Sequence, residues 1–304
     1  MKNKVLTGLL LVLIGGWGSL SAQSAGSNYS RQVNTLIGTK GVGLTSGYLY
    51  PGATYPYGMV QFTPSYFSKR SGFVINQLSG GGCEHMGNFP TFPVKGKLKM
   101  SPDNILNYRI NISEEKGHAG YYEAMVQEDI KAKLTVTERT GMASYEYPAD
   151  QQYGTVIIGG GISATPIEQA AIVITAPNKC EGYAEGGNFC GLRTPYKVYF
   201  VAEFDTDALE SGTWKRNELK PNTTFAEGEY SGVYFTFDVN KKKNIQYKIG
   251  VSYVSVENAR ENLKAENTGW DFLQIQNQAE SKWNHYLGTV SYTHLRAHET
   301  SLHL

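Results

Sequence analysis

The densest group of side chains able to do chemistry lies between Ser71 and Pro93, in SGFVINQLSGGGCEHMGNFPTFP. Asn76, Gln77, Glu84, His85 and Asn88 supply neutral donors and acceptors, one carboxylate and one imidazole around Gly80-Gly81-Gly82. Glycine lets the backbone approach a ligand closely or turn through positive φ. Polar groups of this kind suit the hydroxyls of a sugar. The segment is not a phosphate loop, because no Gly-Lys-Ser/Thr follows the glycines. Nor does it read as a metal site, since His85 has only Cys83 as a soft neighbour. The other reading of the same residues is a tight loop whose polar groups satisfy its own backbone. Upstream, YPGATYPYGMVQFTP (Tyr50–Pro64) places aromatic rings beside glycine and proline. Such rings serve as sugar platforms or as plain core.

Glycosidic hydrolysis usually takes two carboxylates about 5–9 Å apart. Glu84, Glu114, Glu115, Glu181, Glu185, Asp205 and Asp207 contain no recognisable acid/base pair, so no catalytic residue is assigned. No nucleophile elbow, Ser/His/Asp arrangement or zinc signature appears. Cys180 and Cys190 flank Glu-Gly-Tyr-Ala-Glu-Gly-Gly-Asn-Phe. Taken as a short glycine-rich loop, that segment brings the two within disulfide range. Two unpaired thiols are the alternative, and Cys83 is then a buried small hydrophobe or a site residue. His294 and His298, spaced i,i+4 near His303, could form a metal clip, but nothing around them supports one.

The elements that must position these groups are mostly strands. Ile130, Ala132, Leu134 and Val136 share one face of Asp129–Glu138. Tyr196, Val198, Phe200, Ala202 and Phe204 align in Pro195–Asp205, and Val233, Phe235 and Phe237 in Gly232–Asn240. Ile245, Tyr247, Ile249, Val251 and Tyr253 align in Asn244–Ser255. Period-2 runs rich in β-branched and aromatic residues, bounded by turn residues, predict an all-β fold of antiparallel sheets packed face to face. The period changes after Ser255. Val256, Ala259 and Leu263 predict a helix capped by Ser255. Phe272, Ile275, Ala279, Trp283 and Tyr286 predict a second helix with an aromatic stripe. Either these helices cover a face of the sandwich, or the stripe is exposed and needs a partner beyond it.

Lys2 and Lys4, the apolar run Val5–Ile14 and the small residues ending at Ala22 have the three parts of a signal peptide, so 1–22 is expected to be cleaved on export. The run is shorter than the roughly 20 residues a membrane span needs. A net charge of +1 leaves no field to attract a polyanion, which argues against nucleic-acid binding.

The segments VNTLIGT (33–39), YPGATYPYGMVQFTP (50–64), GFVINQLSGGGCEHMGNFP (72–90), KLTVTERTGMASYEYP (133–148), GGNFCGLRTPYKVYFVAEFD (186–205) and VSYVSVENARENLKAE (251–266) occur in order. The ordered set resembles the N-terminal domain of glycoside hydrolase family 92, from about Gln32 to about Leu287. The resemblance implies an exported, calcium-dependent, inverting exo-α-mannosidase of bacterial periplasmic or extracellular location, acting on α-mannosides or N-glycans. It implies a β-supersandwich at 23–255 and linking helices at 256–290. A helical (α/α)6 barrel would follow as the sandwich's partner and carry the acid, the base and most calcium ligands. The remaining 291–304, SYTHLRAHETSLHL, resembles translated adaptor sequence and reads as a non-native tail. On this chain the implied substrate-binding residues are Gln77, Ser79, Gly80, Gly81, Gly82, Cys83, Glu84 and His85. Gln77 stands where many members have His, and Asn88 where many have Asp, so linkage specificity does not carry over. Without the barrel the chain is expected not to catalyse. A non-catalytic carbohydrate-binding sandwich is the alternative.

Overall fold

The computed structural model describes residues 28–39, 48–65, 72–103 and 111–289. The expected signal peptide and the 291–304 tail lie outside the described residues. After a short 3-10 helix at Tyr29–Gln32 come β1 (Ala53–Thr54), β2 (Gln61–Pro64), β3 (Phe73–Val74), β4 (Thr91–Lys95), β5 (Ile112–His118) and β6 (Tyr121–Val126). Next are β7 (Ile130–Val136), β8 (Thr140–Glu146), β9 (Tyr153–Gly159), β10 (Ile167–Ala176), β11 (Lys179–Phe189) and β12 (Leu192–Phe204). The last strands are β13 (Glu210–Lys215), β14 (Glu218–Pro221), β15 (Phe225–Glu227), β16 (Ser231–Asp238) and β17 (Asn244–Ser252), followed by α1 (Val256–Glu266) and α2 (Phe272–Leu287).

The strands form two antiparallel sheets, as the alternation predicts. One has eight strands in the order β1-β2-β3-β4-β9-β16-β13-β14, the other nine in the order β15-β10-β11-β12-β17-β8-β7-β6-β5. Ile130, Ala132, Leu134, Val198, Phe200, Phe204, Phe235, Ile245 and Tyr247 are all buried. Across the seam, the Phe204 ring meets Phe235 and Phe237 at 5.0 Å each. The Tyr247 and Thr91 hydroxyls also meet there, at 3.2 Å. Aromatic pairs at such separations add to the stabilisation from area burial.

Both helices lie on the nine-stranded sheet. Ser255 caps α1, its hydroxyl accepting from the Asn258 N–H at 3.0 Å, and Asp271 caps α2 by accepting from Gln274 N–H at 3.0 Å. Val201, Ala259 and Leu263 make a small second core under α1. The stripe of α2 packs in part on the sandwich, with Phe272, Trp283 and Tyr286 half-buried. Ile275 and Ala279 are buried, Trp283 Nε1 donates to the Thr54 carbonyl at 2.7 Å, and the Tyr286 ring meets Tyr57 edge-on at 5.2 Å. Helix periodicity identifies the buried face of α2 but not which surface buries it.

Candidate functional site

The glycine segment sits at one end of the sandwich, between β3 and β4. The far end of β17 brings Tyr253 to it, and the start of β12 brings Tyr196. Asn76 and Asn88 hold the base of the loop together. The Asn88 N–H donates to Asn76 Oδ1 at 2.7 Å, and Asn76 Nδ2 donates to Asn88 Oδ1 at 2.9 Å. Tyr196 Oη donates to the same Asn88 oxygen at 2.9 Å. Burial pushes the Tyr196 hydroxyl up to about 12, so it stays protonated and a donor. Asn88 is fully buried, and its Nδ2 has no hydrogen-bond partner among the described residues.

The sequence-assigned residues divide into two groups. Ser79 serves the fold. Its hydroxyl accepts from Tyr50 N at 3.1 Å and from Gln61 Nε2 at 2.7 Å, while its N–H donates to Gln61 Oε1 at 3.0 Å. His85 is also structural. Its Nδ1 lies 2.8 Å from the Cys83 carbonyl, and its Nε2 accepts from the Leu78 N–H at 3.2 Å. That pairing assigns the neutral tautomer with the proton on Nδ1 and leaves no nitrogen for a ligand. Gly81 is required by the same ring, since a Cβ there would lie 2.5 Å from His85 Cε1. Gln77 is buried and reaches the His85 carbonyl at 3.4 Å. For these residues the self-satisfied loop describes the geometry.

Gly80, Gly82 and Glu84 form the second group. Gly80 (φ +78°) and Gly82 (φ +76°) adopt the left-handed conformation in open space. L-residues rarely adopt that conformation, so glycine is needed at both. Glu84 projects outward next to them. Partial burial nonetheless raises its carboxyl above the ordinary glutamate value, and the Tyr50 hydroxyl is raised first by its own burial and then by the Glu84 charge.

The cysteines pair differently from the sequence expectation. Cys83 is bonded to Cys190, with Cα atoms 5.3 Å apart, and Cys180 is free and buried. The segment taken as a loop is strand β11. Ten residues of extended chain separate its cysteines by roughly 33 Å, so Cys180 cannot reach Cys190. Cys180 instead points into the core opposite Ala202. The observed bond closes a separation of 107 residues, for which chain entropy gives roughly 4.7 kcal/mol of stabilisation.

Calcium takes six to eight oxygen ligands, mostly carboxylates and carbonyls. The loop offers one carboxylate, and no three Asp, Glu, His or Cys side chains converge anywhere among the described residues. The described residues therefore do not fit a calcium ion. No helix among them is long and apolar enough to cross a membrane.

Sequence reasoning missed Tyr196, Tyr253 and Phe189 as neighbours of the loop. Tyr196 and Tyr253 were visible only as strand-face residues. Their place at the loop follows from sheet order, which periodicity does not encode.

Residues 32–252 match the glycosyl hydrolase family 92 N-terminal domain. An uncharacterized secreted glycosidase from Arthroderma benhamiae is 26% identical over 300 residues, covering 86% of this chain and 38% of the relative. A family 92 α-mannosidase from Bacteroides thetaiotaomicron superposes with a TM-score of 0.75 at 24% identity, covering 88% of this chain and 38% of that one. The same enzyme has been solved with mannoimidazole. An inverting family 92 mannosidase from the same bacterium superposes at 0.68 and 22% identity, covering 85% and 36%. The chain thus spans less than two fifths of the length of these relatives. By the match over most of its length, the chain belongs to glycosyl hydrolase family 92 and carries that family's N-terminal domain.

Proposed function

We propose that the chain is the N-terminal part of an exported, calcium-dependent exo-α-mannosidase that releases terminal α-mannose from N-glycans or mannans with inversion. In this reading the loop Gln77–His85 forms one wall of the mannose pocket. Ser79, Gly81, Cys83 and His85 hold the wall in shape, while Glu84 and the Gly80–Gly82 backbone meet the sugar. The acid, the base and the calcium ligands belong to the part of the relatives' length that this chain does not span. The observation that carries the proposal is the placement of Glu84. It is a solvent-facing but partly desolvated carboxylate, set between left-handed glycines and a buried amide network. A carboxylate there accepts hydrogen bonds from sugar hydroxyls, and bonds to a charged acceptor are the stronger kind.

Two measurements test this. The chain, incubated with calcium and α-mannobiose, is expected to release no mannose; clear turnover would show that acid and base lie on these residues. Calorimetric titration with α-mannobiose is expected to show weak binding that fades as pH falls. Glu84 is the stronger, charged acceptor only when ionised, and partial burial holds its carboxyl above the ordinary glutamate value, so the loss should set in at a higher pH than for a free glutamate. Glu84→Gln should weaken binding about tenfold and flatten the profile. An unchanged affinity in this exposed variant would remove Glu84 from the pocket.

One observation favours a second reading, a non-catalytic carbohydrate-binding sandwich: Ile275, Ala279 and Trp283 of the α2 stripe already pack on the sandwich itself. Strong glycan binding by the chain, with no gain from a helical partner domain, would favour it.

A further inference from the structure

We propose that the Cys83–Cys190 disulfide is a positioning device that pins the glycine loop to the tip of the β11–β12 hairpin, so that opening it weakens sugar binding while the sandwich stays folded. This rests on the reading of the loop as a pocket wall. Three observations carry it.

The hairpin projects beyond the sheet. Residues 188–195 are exposed on both faces, whereas alternate residues earlier in β11 are buried. The tip turns at Cys190 (φ +54°) and Gly191 (φ +81°), a two-residue connection with both residues left-handed. Asn and Gly fill such a turn at least cost. Cysteine at its first position gains nothing locally, so the bond it makes is the reason for its presence.

The loop has little else to hold its middle. Ser79 is anchored by Gln61 and Tyr50, and His85 is buried. Between them, nothing lies within 4 Å of a Cβ built on Gly80 or Gly82. The Gly80 N–H reaches the Tyr48 carbonyl at 2.9 Å, and the Cys83 carbonyl meets His85 Nδ1. The disulfide is the covalent hold on this stretch, one residue from Glu84.

The arm and the loop also touch without the bond. The Phe189 ring lies 4.8 Å from His85. Arm and loop therefore form one unit at the end of the sandwich, with Leu192 72% exposed at its outer edge.

The test is reduction of the full chain by dithiothreitol. The S–S bond breaks, each sulfur leaves as a thiol, and the reductant is oxidised to its cyclic disulfide. Hydrogen exchange is expected to accelerate at least tenfold in 79–84 and 189–193, while β7, β8 and β17 exchange faster only by the lost chain-entropy stabilisation and stay protected as a folded sandwich. The dissociation constant for α-mannobiose is expected to rise at least fivefold. The double variant Cys83→Ser/Cys190→Ser should reproduce both effects without reductant. Unchanged exchange in the two segments would overturn the proposal. So would a loss of protection throughout the sandwich, which would make the bond a global staple. If the oxidised chain binds no α-mannobiose, the pocket reading fails, and the local exchange result alone decides whether the bond positions the loop.

Discussion

Gly250→Val is expected to dislodge α1 and to destabilise the chain by about 3 kcal/mol, at the top of the range for overpacking. Gly250 lies in β17 on the face away from the main core. A Cβ built there would sit 2.5 Å from the Ala259 carbonyl oxygen, 2.9 Å from Leu263 Cβ and 3.2 Å from Leu263 N. Two of those atoms are helix backbone and cannot rotate aside, so the helix itself must move. With it go the contacts of Val201 with Ala259 and Leu263, the bond from Asn262 Nδ2 to the Val251 carbonyl at 2.9 Å and that from Lys248 Nζ to the Asn267 carbonyl at 3.0 Å. The effect reaches the candidate site, because β17 leads directly to Tyr253. Its hydroxyl accepts from Asn76 at the base of the loop, at 3.5 Å. Thermal unfolding should fall by roughly 6–12 °C for a domain of this size. Gly269→Ala is the control, since no atom lies within 4 Å of the added carbon. A Gly250→Val midpoint within a degree of the parent would mean that α1 is not held as described.

The strands were readable because burial imposes period 2 on them. Ile130, Ala132, Leu134 and Val136 alternate with Lys131, Lys133 and Thr135, and the sequence alone separates those faces. The helix starts at Ser255 and Asp271 follow from local capping chemistry. What periodicity cannot carry is which strand lies beside which. β17 sits between β12 and β8, more than 40 and about 100 residues away in sequence, and that order brings Tyr196 and Tyr253 to the loop. The cysteine pairing failed for a related reason. Glycines at 182, 186 and 187 suggested a loop, yet they lie in β11, where Gly182 and Gly187 face backbone too close for any side chain. Glycine marked close approach there, not a turn. In the candidate site, His85 and Ser79 were legible as polar residues near glycine, but only the geometry separates groups that hold the loop from one that faces outward.

Glu280→Gln is expected to loosen α2 at neutral pH by about 2–3 kcal/mol, the worth of charge-assisted hydrogen bonds in a mostly buried setting. Glu280 is 4% exposed. Its Oε1 accepts from His118 Nε2 at 2.9 Å and Gln276 Nε2 at 2.6 Å, and its Oε2 from Arg31 Nε at 3.0 Å. One carboxylate therefore ties α2 to the β5–β6 turn and to the 3-10 helix at Tyr29–Gln32. Close packing beside it depends on Gly120 (φ +88°), where a Cβ would come within 3.0 Å of Ala279. Burial raises the Glu280 carboxyl, but the bonds from His118, Gln276 and Arg31 outweigh it and hold the group below the ordinary value. A carboxyl depressed by folding contributes stability above its unfolded pKa and loses it as pH falls through the folded one. The gap between parent and Glu280→Gln should therefore be widest near pH 7, narrow below the ordinary glutamate range near 4.3, and close once the native carboxyl protonates. Urea unfolding across that range measures it. A gap that stays constant with pH would mean that packing of the side chain, not its charge, seats α2 on the sandwich.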